Sequence, residues 1–133
     1  MNTIEEVKAY FAEDRFAALA GIEIAEAEQG RAVCRMPLLP HHMNANHSPM
    51  GGAIFTLGDF AFAVAAGCGK EKAVSLSASV SFIKQPKGTT LIAVAKKIHS
   101  GRTACFYDIS ITDELATPVA TMTVNGFIVE RSE

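Results

Sequence analysis

One carboxylate, Asp59, stands alone in an otherwise apolar stretch of the chain. From Met50 to Cys68 the residues are almost all Gly, Ala, Phe, Leu, Val and Ile, and Asp59 is the only acidic or basic one. A carboxylate removed from water is costly unless it is paired, and desolvation raises its pKa. Asp59 is therefore a candidate general base. The alternative is a structural carboxylate that is satisfied by a hydroxyl, with Thr56 and Ser77 as the available donors.

Two glycines, Gly51 and Gly52, open the same stretch. At a helix N-terminus they would let a ligand oxygen approach free backbone N–H groups at the positive end of the helix dipole. Such a turn can act as an oxyanion hole, or it can simply allow close packing of a helix on a strand. Asn44, in the preceding loop, could hold a water molecule or a carbonyl oxygen.

Other chemistry-bearing motifs are incomplete. His41, His42 and His47 lack a neighbouring carboxylate or thiolate and the HExxH spacing of a zinc site, so no metal is predicted. The segment 67–70 does not continue as a phosphate-binding loop, and neither GxSxG nor GxGxxG occurs. The three cysteines are widely spaced without a CxxC pair, which favours reduced thiols. We therefore expect neither a metal nor another cofactor.

Length and composition limit the architecture that positions these groups. The chain has 133 residues, of which 49% are hydrophobic and 20% charged, so we expect one folded domain spanning residues 1–133. Its first residues are acidic rather than a basic head before an apolar block, which predicts a cytoplasmic protein. The apolar stretch is shorter than the roughly 20 residues of a membrane span and carries a central carboxylate, so it is predicted to be a buried helix.

Charge is divided unevenly along the chain. Nine of the 12 Lys and Arg residues lie between residues 31 and 103, whereas 12 of the 14 acidic residues lie outside that segment. The net charge of −2 is too low for strong binding to a nucleic-acid backbone. A basic middle between acidic ends favours an anionic small ligand, or is an ordinary solvated mixture.

Periodicity predicts a sheet around the apolar helix. A capping box at Thr3 starts an N-terminal helix, and a short helical turn follows from Asp14 to Leu19. Residues 74–82 alternate apolar side chains with serines, which indicates a half-buried strand. The short turns between strands predict an antiparallel meander with the helix on its concave face. The predicted strands are 21–27, 31–38, 74–82, 89–99, 104–112 and 118–130.

The motif residues resemble a known family. Asn44, followed by Met50-Gly51-Gly52-Ala53-Ile54-Phe55-Thr56-Leu57-Gly58-Asp59, is similar to the pattern N-x5-HGG-x2-F-x-L-(A/G)-D of hotdog-fold acyl-coenzyme A thioesterases of the phenylacetate-pathway, or PaaI-like, type. The resemblance extends over nearly the whole chain. Further matches are the segments 21–24, 82–86 and 100–102, with Ser77 between them.

The resemblance implies an α+β hotdog fold, in which an antiparallel sheet wraps around one long central apolar helix. It implies hydrolysis of an acyl-coenzyme A thioester without a metal. Asp59 would activate water or attack the carbonyl, and the N–H groups of Gly51 and Gly52 would polarise it. Asn44 would place substrate or water, and Ser77 would assist Asp59. Met50 departs from the family pattern, since it replaces the usual His, and a Met cannot donate a hydrogen bond.

Substrate contacts are expected from apolar and basic residues. Met50, Phe55 and Phe62, with Phe60 and the small alanines between them, predict an apolar pocket for the acyl group. Lys84, Lys97 and Arg102, near two turns, could bind the phosphates of coenzyme A or be ordinary surface charges.

Helix geometry predicts that one chain does not make a complete site. At about 1.5 Å rise per residue, Asp59 lies roughly 12 Å along the helix from Gly51, so the two cannot meet at one carbonyl carbon. Antiparallel helices in a two-fold homodimer would bring the Asp59 of one chain to the Gly51 turn of the other. We expect such a dimer, assembled further into a homotetramer as hotdog proteins commonly are.

Two other functions remain open. An enoyl-coenzyme A hydratase or dehydratase of the same fold would pair Asp59 with His42 or His47. A non-catalytic acyl-coenzyme A-binding module is the third possibility, although it gives no reason for a buried carboxylate.

Overall fold

The computed structural model describes residues 1–132, which form three α-helices, one 3₁₀ turn and six strands in that part of the chain. Helix α1 begins at Thr3, whose hydroxyl accepts a hydrogen bond from the Glu6 N–H, as the capping box predicts. The elements in chain order are α1 (Ile4–Phe11), α2 (Arg15–Leu19), β1 (Glu23–Glu28), β2 (Arg31–Pro37), the 3₁₀ turn (Pro40–His42), α3 (Gly51–Gly67), β3 (Glu71–Phe82), β4 (Thr90–Ser100), β5 (Ala104–Asp113) and β6 (Pro118–Arg131).

The strands form one antiparallel sheet in the order β1-β2-β4-β5-β6-β3. The predicted meander is correct for β4, β5 and β6 but wrong for β3, which pairs with β6 rather than with the next strand along the chain. The segment after β3 turns away across the end of β6, where Ile83 N–H donates to the Val119 carbonyl at 2.8 Å. Turn signals in a sequence mark where strands end, whereas strand order depends on long-range pairing.

Helix α3 lies against one face of this sheet and supplies the centre of the core. Its side chains Leu57, Ala61, Val64 and Ala65 are fully buried among residues of β2, β4 and β5. Gly58 lets α3 pack closely on β6, because a Cβ there would overlap the sulfur of Met122 unless that side chain moved. The predicted antiparallel sheet around a central apolar helix is confirmed. None of the helices within residues 1–132 is long and apolar enough to span a membrane.

Strand β3 is an edge strand with exposed apolar side chains. Val74, Leu76 and Phe82 are 51%, 68% and 55% exposed. Between Ser75 and Ser77 the pairing with β6 shifts by one residue, which is a β-bulge at Leu76. An open apolar edge of this kind is a surface on which a second strand can pair.

The Asp113 carboxylate joins two loops at one end of the sheet. Asp113 is 1% exposed, and its Oδ2 accepts hydrogen bonds from the N–H groups of Lys87 and Gly88, both at 2.8 Å. Its Oδ1 accepts from Leu115 and Thr117, both at 2.9 Å. Burial alone would raise the pKa of Asp113, but these donors outweigh it and hold the pKa well below the ordinary value.

Candidate active site

Asp59 lies on the side of α3 covered by α2, at a pocket of about 280 Å³. The wall of the pocket on α3 consists of Thr56, Asp59, Phe60 and Ala63, which recur at helical spacing. The opposite wall comes from the start of α2, with Asp14 and Phe16. The apolar helix therefore presents its only carboxylate to a pocket rather than to the core.

The Asp59 carboxylate is not engaged by any other group in residues 1–132. It accepts no hydrogen bond and forms no ion pair there, and the hydroxyl of Thr56 donates instead to the Gly52 carbonyl at 2.7 Å. Burial raises the pKa of Asp59, and the negative charge of Asp14 raises it further. Thr56 therefore does not satisfy Asp59, and the carboxylate retains the properties of a base.

The expectation that Ser77 assists Asp59 is not supported by the strand register. Residues paired across an antiparallel ladder share a face of the sheet. Ser77 pairs with Asn125, which is exposed between the buried Val124 and Gly126, so Ser77 lies on the face opposite to α3. Because of the β-bulge at Leu76, Ser77 lies on the opposite face of the sheet from the one that strict alternation along the strand would predict.

The hydroxyl on the helix side of β3 belongs to Ser75. It pairs with Gly126, where a Cβ would come within 2.9 Å of the Phe62 ring on α3. Both serines occur in the same alternating run, so only the bulge distinguishes them. Ser75, rather than Ser77, therefore lies on the face of the sheet that α3 covers.

The start of α3 carries two free N–H donors. Met50 is the N-cap residue and its carbonyl accepts from Ala53 and Ile54, whereas the N–H groups of Gly51 and Gly52 have no acceptor in the described chain. Gly52 and Met50 line a pocket of about 410 Å³ together with Phe16. Unpaired N–H donors at a helix N-terminus are the kind of group from which an oxyanion hole can be built.

Asn44 organises its own loop. Its Oδ1 accepts from the N–H groups of Asn46 at 2.9 Å and Ser48 at 3.1 Å, which leaves only its amide nitrogen free for a ligand. Asn44 borders a third pocket, of about 280 Å³, with Phe82 and Lys84. Within one chain, Asn44 and Asp59 thus line different pockets, and the pocket at Gly52 adjoins the Asp59 pocket through Phe16 and Thr56.

His42 connects α2 to the segment that leads into α3. Its buried ring accepts from the Leu39 N–H through Nδ1 at 3.0 Å and donates through Nε2 to the Ala20 carbonyl at 2.7 Å. Its backbone carbonyl accepts from Met50 N–H at 2.8 Å. Both ring nitrogens are occupied, so His42 is not available as the catalytic partner that a hydratase would need.

The predicted substrate contacts divide into those near the pockets and those away from them. Met50 is 59% exposed at the α3 N-terminus, and Phe55 is partly buried beside the core. Phe62 is not available to a ligand, because it is 2% exposed and packs edge-to-face against Tyr107 with ring centroids 5.2 Å apart. Phe60, in contrast, borders the Asp59 pocket.

The basic residues form two groups rather than one. Lys84 lies where β3 leaves the sheet, beside Asn44, whereas Lys97 and Arg102 lie near the far end of β4. At about 3.3 Å per residue, Thr90 and Lys97 are roughly 23 Å apart along β4. One chain therefore cannot bring Lys84, Lys97 and Arg102 to the same phosphate.

Sequence reasoning missed Asp14. It precedes α2 as the N-cap residue, yet its side chain makes no capping hydrogen bond and faces the Asp59 pocket. An Asp before a short helix is normally interpreted as a cap. Only the placement of α2 over α3 distinguishes this carboxylate from an ordinary one.

Comparison with known proteins finds relatives that are similar in sequence over most of this chain. No family model matches the chain. Acyl-coenzyme A thioesterase PaaI of Escherichia coli is 32% identical over 117 residues, which is 87% of this chain and 84% of that protein. A putative esterase of Archaeoglobus fulgidus is 32% identical over 106 residues, 78% of this chain and 69% of that protein.

Solved structures agree with the sequence relatives. The E. coli PaaI structure superposes with a TM-score of 0.87 at 29% identity, covering 93% of this chain and 91% of that one. A Streptococcus mutans protein bound to acetyl-coenzyme A gives a TM-score of 0.78 at 26% identity, covering 84% and 91%. Since both the sequence and the fold match over most of their length, the chain belongs to the family of the acyl-coenzyme A thioesterase PaaI and has its hotdog fold.

Proposed function

We propose that this protein hydrolyses an acyl-coenzyme A thioester to a free acid and coenzyme A. Asp59 acts as the general base or nucleophile, and the N–H groups of Gly51 and Gly52 form the oxyanion hole. The observation that carries the proposal is the Asp59 carboxylate, which lies in a pocket without a hydrogen-bond or ion-pair partner in residues 1–132 and has a raised pKa. The relatives support it, because one is a thioesterase and another binds acetyl-coenzyme A.

In the general-base route, the oxygen of a water molecule attacks the thioester carbonyl while Asp59 accepts a water proton. The carbonyl electrons move to oxygen, where the two glycine N–H groups stabilise the negative charge. When the carbonyl re-forms, the C–S bond breaks and the coenzyme A thiolate leaves with the electron pair. In the nucleophilic route, an Asp59 oxygen attacks the thioester carbonyl, the C–S bond breaks, and the coenzyme A thiolate leaves with the electron pair to give a mixed anhydride. A water molecule then hydrolyses this anhydride, which releases the free acid and restores the Asp59 carboxylate.

The complete site is proposed to lie between two chains. Asp59 lies roughly 12 Å along α3 from Gly51, at a rise of about 1.5 Å per residue, which supports a site shared across a two-fold axis. Strand β3 supports the same assembly, because its exposed apolar residues lie at the open edge of the sheet. A homotetramer would be a dimer of these dimers.

The phosphates of coenzyme A are proposed to bind one of the two basic groups rather than both. Lys84 borders the same pocket as Asn44, so it is the basic residue beside the proposed site. Lys97 and Arg102 lie at the far end of β4. They would contact the nucleotide of coenzyme A only if it extended along β4, or if the coenzyme A were bound at the site of another chain.

Mixed dimers test the proposal. Asn44→Ala and Asp59→Ala homodimers should both release thiol slowly from acyl-coenzyme A esters. After random subunit exchange, half of the dimers contain one wild-type site and one site with both lesions. Total activity should then recover to roughly a quarter of wild type. No recovery despite demonstrated exchange would contradict the shared site, and no thiol release by the wild type from any ester would contradict hydrolysis itself.

A further inference from the structure

The pocket of about 410 Å³ at the start of α3 is mostly apolar, and we call it the Gly52 pocket. Besides Gly52 itself, its apolar lining consists of Phe16, Leu19, Ala20, Met50 and Ala53. Its polar side chains are those of His41, His42 and Thr56, and no acidic residue of the described chain lines it. Because polar groups in an apolar pocket fix the orientation of a ligand, these three side chains decide what the pocket can hold by hydrogen bonds.

Two of the three polar side chains are already engaged. Both ring nitrogens of His42 are hydrogen-bonded to backbone groups, and the hydroxyl of Thr56 donates to the Gly52 carbonyl. His41 differs, because neither of its ring nitrogens has a hydrogen-bond partner in residues 1–132. A neutral imidazole still carries one N–H group. In the described chain, His41 is therefore the side chain of this pocket that has a donor left for a ligand.

Backbone pairing places His41 beside the N-terminus of α3. The loop 43–49 is closed by an antiparallel bridge between its two end residues. The next residues outwards are His42 and Met50, where the Met50 N–H donates to the His42 carbonyl at 2.8 Å. One residue further, the chain reaches His41 on one side and Gly51 on the other. His41 thus lies next to the turn whose N–H groups have no acceptor in residues 1–132.

His42 also supports the ring of His41. The two ring centroids are 4.3 Å apart. Because the His42 ring is buried and held by two hydrogen bonds, it gives the exposed His41 ring a fixed surface to pack against. A side chain that is held before a ligand arrives loses less conformational freedom when it forms a hydrogen bond.

We propose that His41 donates a hydrogen bond to the carbonyl oxygen of the thioester, together with the N–H groups of Gly51 and Gly52. This inference rests on the proposed hydrolysis and adds a side chain to its oxyanion hole. When the carbonyl carbon is attacked, the carbonyl electrons move to oxygen, and the three donors stabilise the negative charge that develops there. The ring keeps its proton throughout this step. A donor fits this pocket better than a base, because no carboxylate lines the pocket to activate the imidazole.

Two substitutions distinguish a hydrogen-bond donor from a structural ring. His41→Phe keeps an aromatic ring against His42 but removes both nitrogens, whereas His41→Gln supplies an amide N–H donor. His99→Phe is the matched control, because His99 is also exposed and lies on β4, outside the lining of the Gly52 pocket. The kcat and KM for thiol release are measured with the fastest of a panel of acyl-coenzyme A esters, and melting curves establish that the variants fold.

We expect the kcat of His41→Phe to fall about 10²-fold or more while KM stays within about twofold, because the hydrogen bond strengthens as the oxyanion forms. His41→Gln should recover at least about tenfold of that loss, and His99→Phe should match the wild type. An unchanged kcat in His41→Phe, or a change in KM alone, would overturn the proposal. A kcat in His41→Gln no higher than in His41→Phe, or an equal loss in His99→Phe, would overturn it as well.

A vibrational measurement separates this inference from the hydrolysis proposal. The probes are ketone analogues of the panel esters, in which a methylene replaces the thioester sulfur and the carbonyl carbon is isotope-labelled. They cannot be hydrolysed, and a hydrogen bond to the carbonyl lowers its infrared stretching frequency.

A bound frequency that is lower in the wild type than in His41→Phe, and is restored by His41→Gln, supports the donor even if the wild type hydrolyses nothing. Equal frequencies in the wild type and His41→Phe overturn it even if hydrolysis is observed. A wild type that binds none of the analogues overturns both proposals.

Discussion

Two carboxylates of this chain have opposite surroundings. Asp113 is enclosed by two loops and receives four backbone N–H hydrogen bonds, which lower its pKa. Asp59 lies in an apolar helix at a pocket, receives no hydrogen bond in the described chain, and has a raised pKa. Burial penalises both charges, but only at Asp113 does the fold supply donors that compensate.

The difference indicates which carboxylate is available for chemistry. A carboxylate whose oxygens already accept several hydrogen bonds stabilises the fold and has little tendency to accept a proton. A buried carboxylate without such donors is stabilised by protonation, so it can accept a proton from a water molecule in the pocket. Nothing in the residue type distinguishes these two roles, because the neighbouring backbone decides between them.

The largest expected effect separates the two carboxylates by activity. Asp59→Asn preserves the side-chain shape but removes the base, so kcat for thiol release should fall by about 10² to 10⁴. The fold should be retained, because a neutral amide is easier to bury than a carboxylate. Steady-state thiol release and a melting curve measure the two quantities. Full activity in a folded Asp59→Asn protein would show that another group is the base.

A substitution at Asp113 should have the opposite outcome, which is a loss of stability with activity retained. Asp113→Asn places an amide NH₂ against backbone N–H donors, so at least one hydrogen bond is replaced by a repulsive contact. We expect the melting temperature to fall by about 10 °C while kcat per folded molecule is unchanged. The matched control is Asp108→Asn on β5, which is exposed and should leave the melting temperature nearly constant.

The pH dependence of stability also tests whether the Asp113 carboxylate stabilises the fold. Because the pKa of Asp113 is lowered on folding, its stabilising contribution is complete above the unfolded value of about 3.9 and is lost as the pH falls through the folded value. Wild type should therefore lose stability in acid more steeply than Asp113→Asn. Parallel pH profiles of the two proteins would show that Asp113 has no special stabilising role.

Much of this architecture was predictable because local patterns determine it. The capping box placed the start of α1, and the lone carboxylate and paired glycines marked α3 as the helix of the candidate site. The position of β3 was not predictable, since pairing with β6 is a long-range choice. The bulge at Leu76 was not predictable either, and it places Ser77 on the face of the sheet opposite to α3.

Site details failed where they depend on how elements pack. Phe62 and Phe60 are both apolar residues of α3, but two residues turn a helix by about 200°, so Phe62 enters the core while Phe60 borders the pocket. Asp14 could not be found because its role depends on how α2 lies on α3. Sequence periodicity gives the angular position of a side chain, but not which element covers it.

The smallest expected effect concerns the electrostatic influence of Asp14 on Asp59. After burial, the charge of Asp14 is the second cause that raises the pKa of Asp59, and the two residues line the Asp59 pocket together with Arg15. A general base works only when deprotonated, so kcat/KM falls as the pH drops through the pKa of Asp59. Asp14→Asn removes a like charge, which lowers that pKa and should move the acidic limb of the pH profile to lower pH. Glu13→Gln is the matched control, because Glu13 also loses one negative charge but pairs with Arg15 at the surface. A limb that moves equally in both variants would indicate a general charge effect and would separate Asp14 from the reaction centre.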